Sequence, residues 1–178
     1  DVQKEIESTR VLDSKGISLR YLKEFYSSIP EEVRETITTE EITQNYIKLE
    51  TLANKCCYVD IIDSKDVSKP NFFVSHVWRS PFSHLIKSLD HYLEGFCIDP
   101  SSTFLWIDIF SVNQHQDQTT QIDLARVESI IMSVDYTLVC LDREGRLLTR
   151  IWCLYEIWKT LQDSKPKLLS IYHDIDYQ

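Results

Sequence analysis

The chain has 178 residues, 43% hydrophobic and 11% aromatic, enough for one ordinary domain with a real core or one domain with an extension. Its net charge is −9, with 19 Lys and Arg against 28 Asp and Glu and no basic cluster, which argues against nucleic acid as a partner and leaves room only for a local basic pocket around one small anion. No apolar run reaches the roughly 18–20 residues of a membrane span and no signal segment opens the chain, so no membrane partner is expected.

The sequence starts at Asp1 rather than at a methionine and reads as a piece of something longer. Residues 1–68 read as a helical N-terminal extension, most simply a structural brace. In "ISLRYLKEFYSSI", Leu19, Leu22, Tyr26 and Ile29 fall on one helical stripe, and Pro30 follows. "TTEEITQNYIKLETLANKCC" opens with Thr38 and Glu41 in capping-box spacing, with Ile42, Tyr46, Leu49 and Ala53 at helical period. "CYVDII" is a short apolar run with the look of a strand, and "DSKDVSKPN" reads as a connector.

From residue 69 to 178 the rhythm changes to a single α/β unit. "NFFVSHV" reads as a strand, and "PFSHLIKSLDHYLEG" as a helix built on Leu85, Leu89, Tyr92 and Leu93 that stops at Gly95. "TFLWIDIF" (103–110) is the next strand. "TTQIDLARVESIIMS" is a helix on Leu124, Val127, Ile131 and Val134, followed by the strand "YTLVCLD". "RIWCLYEIWKTLQ" is a third helix and "PKLLSIY" (166–172) a fourth strand. Strands alternating with helices argue for a mostly parallel sheet covered on both faces, with ligands beyond the carboxyl ends of its strands.

Only three glycines are present, Gly16, Gly95 and Gly145, so the GxGxxG and Walker A loops are excluded. GxSxG is missing too, which leaves Ser75 beside His76 as weak support for a hydrolytic triad. Five cysteines without CxxC or zinc spacing read as free thiols in a reducing compartment, hence a cytoplasmic protein without a metal. His84, His91 and His173 read as surface residues. In the third helix, Ile151, Leu154, Tyr155, Trp158 and Leu161 form a stripe that reads as the core face, with Glu156 roughly opposite. A solvated glutamate is the direct reading. Trp152 and Cys153 on the same outer half are poor choices for a wet face and suggest instead the floor of a cleft.

The order "FFVSHVW", "LWIDIF", "YTLVCLD", "RIWCLYEI" resembles the TIR domain in sequence and spacing. TIR domains carry S-x-W-C-x-x-E-L on the helix after their third strand; here Trp152, Cys153 and Glu156 match, Ile157 is conservative and Arg150 replaces the serine. "LWIDIFSVNQ" is also similar to the W-I-D-x-x-x-I-N-Q run of fungal HET domains. The resemblance covers residues 71–172 and implies a flavodoxin-like, TIR-like fold, one helix–strand unit short at its end: either the fold is truncated there or the extension fills that edge, through "CYVDII".

The resemblance further implies an NAD+ glycohydrolase or cyclase in signalling, innate immunity or cell death, active as a homo-oligomer through TIR–TIR contacts, with NAD+ as substrate rather than cofactor. Glu156 takes the catalytic position. Nicotinamide leaves NAD+ neutral, so no general acid is needed, and one ionised carboxylate suffices to stabilise the oxocarbenium ion on the ribose. Trp78 and Trp152 are candidates to stack on nicotinamide. Ser75, His76 and Cys153 flank the site, and Arg79 is the candidate for phosphate. Asp108 either orients a ligand hydroxyl or amide or caps its own loop, Phe110 is placed to cover a ring, and Asn113 lies in the loop that closes over ligand in TIR enzymes. The alternatives are a catalytically silent adaptor acting through self-association and a nucleotide sensor that binds without cleaving.

Overall fold

The computed structural model describes residues 14–94, 98–115, 124–142, 144–162 and 168–172. Gly95 and Cys97, together with His173, lie outside the described residues.

The part expected to be helical also supplies two strands. Gly16–Ser18 form β1 and lead directly into α1, Leu19–Ser28. Ser18 serves both: its hydroxyl accepts from Tyr21 N at 3.1 Å, capping the helix, and donates to the buried Asp66 at 2.6 Å. Arg20 pairs with the same carboxylate, so the buried charge is satisfied. The inner face of α1 is Leu19, Leu22 and Phe25, with Ile29 just beyond. Tyr26, expected on that stripe, is half-buried and donates to Glu35 at 2.9 Å.

A short α2, Glu31–Arg34, precedes α3, which runs as Thr39–Ile42, a π-helical turn Thr43–Ile47, and Lys48–Glu50. The capping box forms as expected: Glu41 N donates to the Thr38 hydroxyl and Thr38 N to the Glu41 carboxylate. The π turn adds a residue to the helix and rotates the side chains beyond it. Ile42, Ile47 and Thr51 are therefore buried, whereas Tyr46 is half-buried and Leu49 and Ala53 are exposed. "CYVDII" is not a strand; Tyr58–Asp60 make one 3₁₀ turn whose Tyr58 and Val59 side chains enter the core. Tyr58 leaves its hydroxyl on Glu50 at 2.8 Å.

The remaining elements are β2 Val67–Ser68, β3 Phe72–Ser75, α4 Phe82–Glu94, β4 Phe104–Trp106, α5 Asp108–Ser111, α6 Leu124–Ser133, β5 Tyr136–Leu141, α7 Ile151–Gln162 and β6 Leu168–Tyr172; all but β2, in the expected connector, and α5 follow the expected order. The strand expected over 103–110 stops at Trp106. Asp108 Oδ1 accepts from Ile109 N at 2.8 Å and turns the chain into α5, which buries Ile109 and Phe110.

The protein is an α/β fold: a mixed six-stranded sheet in the order β2-β1-β4-β3-β5-β6, flanked by helices. β4, β3, β5 and β6 run parallel, and β1 is antiparallel to both β2 and β4. The extension thus occupies the β4 edge, not the β6 edge that was one of the two expectations. Gly16 permits the approach, because a Cβ there would lie 2.9 Å from the Leu105 carbonyl oxygen.

Alternation along the strands divides the core. Phe72, Val74, Leu138 and Cys140 face α1 and α4, in one cluster with Ile17, Leu22, Leu105 and Phe110, so residues on both sides of position 68 share it. On the other face Phe73 stacks on Trp106 at 4.8 Å beneath Val127, Ile130 and Ile131 of α6, and Val139 meets Cys153 of α7. Among the described residues no helix is long and apolar enough to cross a membrane.

Candidate functional site

The face of α7 is the main departure from the sequence reading. Ile151, Leu154, Trp158 and Leu161, expected inside, are 78%, 45%, 51% and 63% exposed. Cys153 and Thr160 are the buried positions, with Ile157 partly buried between them. The reason lies in the sheet. The inward residues of β3 and β5 on this side include Ser75 and Thr137, both buried hydroxyls that need partners. α7 answers with polar groups: Thr160 Oγ1 lies 2.9 Å from Thr137 Oγ1 and 2.8 Å from the Glu156 carbonyl, and Ser75 Oγ donates to Glu156 Oε2 at 2.5 Å. An apolar stripe turned inward would have stranded those hydroxyls.

Glu156 is therefore half-buried and lies toward the sheet rather than opposite the buried side. Its carboxylate meets Ser75, the last residue of β3, which pairs with Val139 of β5. The crossover from β3 leads to β4 on one side, while β5 lies on the other. The carboxylate thus sits at the carboxyl end of the strands where the chain order reverses. Burial pushes the Glu156 carboxyl up to about 7; the Ser75 hydroxyl and the Arg150 charge pull it down, and the Asp108 charge adds to the rise. Cys153 beside it is a buried thiol pushed up to about 11, chiefly by burial and then by Glu156. A thiol so raised stays protonated and is no nucleophile. Its Sγ lies 3.9 Å from the His76 carbonyl oxygen.

A second group forms on the loop after β3. Trp78 Nε1 donates to Asp108 Oδ2 at 2.7 Å, and His76 Nε2 lies 3.8 Å from Asp108 Oδ1. Burial lowers the His76 pKa, with Asp108 opposing, so the imidazole is neutral. Asp108 opens α5, where its Oδ1 accepts from the next backbone amide, Ile109 N, and its Oδ2 orients the Trp78 indole. The loop is pinned by the extension, because Thr39 N and Glu40 N donate to the carbonyls of Ser80 and Trp78 at 3.2 and 2.8 Å.

The other candidates are dispersed. Arg79 is exposed, its Nε 3.9 Å from Glu40. Trp152 is exposed on the outer side of α7. Phe110 is wholly buried, 5.3 Å from Phe25 and 5.5 Å from Tyr58, and is part of the core rather than a cover for a ligand ring. Asn113 donates to the Lys55 carbonyl at 2.6 Å, and its neighbour His115 lies 2.8 Å from the Thr51 hydroxyl, so the loop after α5 is fastened to α3 and the turn beyond it. His84 and His91 are exposed. Arg150, which in the sequence only stands in place of a serine, is the cation that acts on Glu156, Cys153 and His76. Its position just before α7, beside an acid on that helix, was the signal available.

Two cavities lie away from Glu156. An open groove of about 660 Å³ runs beside β1 and β2, lined by Lys15, Asp60, Val67 and Lys69 among others. A small, partly open void of about 20 Å³ lies under the loop after β3. Among the described residues no three His, Cys, Asp or Glu side chains are grouped to hold a metal ion. Compared with family models, curated proteins and solved structures, the chain matches none.

Proposed function

We propose that this chain is a TIR-like NAD+ glycohydrolase or cyclase of the cytoplasm, releasing nicotinamide and leaving ADP-ribose or a cyclic form, with Glu156 as the catalytic carboxylate. The observation that carries the reading is the Glu156–Ser75 contact of 2.5 Å at the carboxyl ends of β3 and β5. The parallel order β4-β3-β5-β6 supports the flavodoxin-like, TIR-like assignment. A carboxyl raised to about 7 is poised between its two forms. Binding of the cationic nicotinamide end of NAD+ favours the ionised form, and the ionised form then stabilises the oxocarbenium ion as neutral nicotinamide departs. The low-dielectric surround that raises the pKa also strengthens that stabilisation. Ser75 aims the carboxylate, and Trp78, held by Asp108 on the loop after β3, is the candidate aromatic surface for nicotinamide.

A second reading is the silent adaptor, and it too has its observation. The outer face of α7 presents Ile151, Trp152, Leu154, Trp158 and Leu161, an apolar stripe of the kind that marks an interaction surface. On that reading Glu156 only fastens α7 to the sheet. The stripe also suits the homo-oligomer that the enzymatic reading expects.

The test uses Glu156→Gln, which keeps the shape and a hydrogen-bond acceptor for Ser75. Concentrated protein incubated with NAD+ is expected to release nicotinamide, and the variant to do so at least about 10²-fold more slowly. Equal turnover by both removes Glu156 from the chemistry. No turnover by either, even with the chains clustered on a surface, favours the adaptor.

A further inference from the structure

We propose that one ordered water molecule is an integral part of this fold, bound under the loop between β3 and α4 by His76, Ser80 and Asp142. The three residues line the same void of about 20 Å³, which Val77, Leu85 and Cys140 also enclose. Each contributes a buried atom without a hydrogen-bond partner: His76 Nε2, Ser80 Oγ and Asp142 Oδ2. His76 and Ser80 are more than nine-tenths buried, and the Asp142 side chain is 7% exposed. Buried polar atoms are almost always paired in native proteins, so three orphans around one void demand an occupant. The void has room for one water and little more, and a buried water typically makes about three hydrogen bonds.

The chemistry of the three atoms selects water over an ion. Asp142 is already faced by Arg146: its Oδ2 lies 3.6 Å from the guanidinium Nε, and its Oδ1 accepts from Arg146 N at 2.6 Å. A divalent ion would want about six or more oxygen ligands, and the three unpartnered atoms include only two oxygens. An anion would meet the Asp142 carboxylate. A carboxylate oxygen accepts, the imidazole Nε2 accepts or donates by tautomer, and the Ser80 hydroxyl does both. Water, with two hydrogens and two lone pairs, satisfies every such combination.

The position gives this water a role. His76 and Ser80 belong to the loop that carries Trp78 and, through its indole, Asp108. Asp142 directly follows β5. The water therefore fastens the loop to the carboxyl end of the sheet. The inference stands whether or not the chain cleaves NAD+.

A crystal structure of the chain at atomic resolution tests it. The expected result is one water peak within hydrogen-bond distance of all three atoms. An empty void, an ion in it, or the three side chains turned onto protein partners overturns the assignment. Hydrogen exchange in solution gives a second reading. Ser80→Ala is expected to speed exchange of the residue-80 amide about tenfold while the β5 amides keep their rates. An unchanged rate at that amide shows that the water does not fasten the loop.

Discussion

At the scale of single residues, Glu156 shows how burial sets chemistry. Its carboxyl stands at about 7 against an ordinary 4.5, mainly because burial penalises the charge. The folded chain holds this proton more tightly than the unfolded chain does. The Glu156 contribution to stability is therefore fully present at acid pH and is lost as pH rises through about 7. Glu156→Gln removes that titration. Between pH 4 and pH 9 the wild type is expected to lose roughly 3 kcal/mol relative to the variant, as read by urea unfolding at each pH. Superimposable pH dependences for the two proteins would show that the carboxyl is not held in a buried place. Glu156 and Cys153 were visible in the sequence as an odd pair on one helix. Ser75 as the carboxylate's partner was not, because 81 residues separate them along the chain.

At the scale of elements, two helices illustrate where periodicity reads truly and where it misleads. In α3 the capping box at Thr38 and Glu41 is local chemistry and was legible. The π turn after it was not, since nothing in "TQNYI" announces an extra residue per turn. It exchanges Leu49 for Ile47 in the core. Ile47→Ala is expected to lower stability by about 2–5 kcal/mol, and Leu49→Ala by less than about 0.5 kcal/mol, both measured by chemical denaturation. The reverse ranking would restore the regular helix. In α7 the larger apolar residues form a helical stripe, yet Cys153, Ile157 and Thr160 form another on the opposite side. Periodicity cannot choose between two such stripes. The choice fell to Ser75 and Thr137, whose hydroxyls require polar partners from the helix that covers them.

At the scale of the whole molecule, the extension is built into the sheet and the core. β1 separates β2 from β4, and Ile17, Leu22, Phe25 and Tyr58 pack in the same cluster as Leu105, Phe82 and Phe110. Without them β4 would present an open edge and a large apolar surface to water. A fragment of residues 69–178 is expected to show no cooperative thermal transition by circular dichroism under conditions in which the full chain shows one. A sharp transition in the fragment would make the extension dispensable to the fold.

Composition and alternating periodicity were enough by themselves to give an α/β fold and the order of its strands β3 to β6 with the longer helices between them. These follow from local rules: side-chain period, caps and turn residues act within a few positions of each other. The tertiary structure alone decided that β1 takes the β4 edge, that Phe110 belongs to the core, and which side of α7 faces inward. Each of those depends on partners far apart in the chain, brought together by the need to bury apolar surface while leaving no hydroxyl or carboxylate without a hydrogen bond.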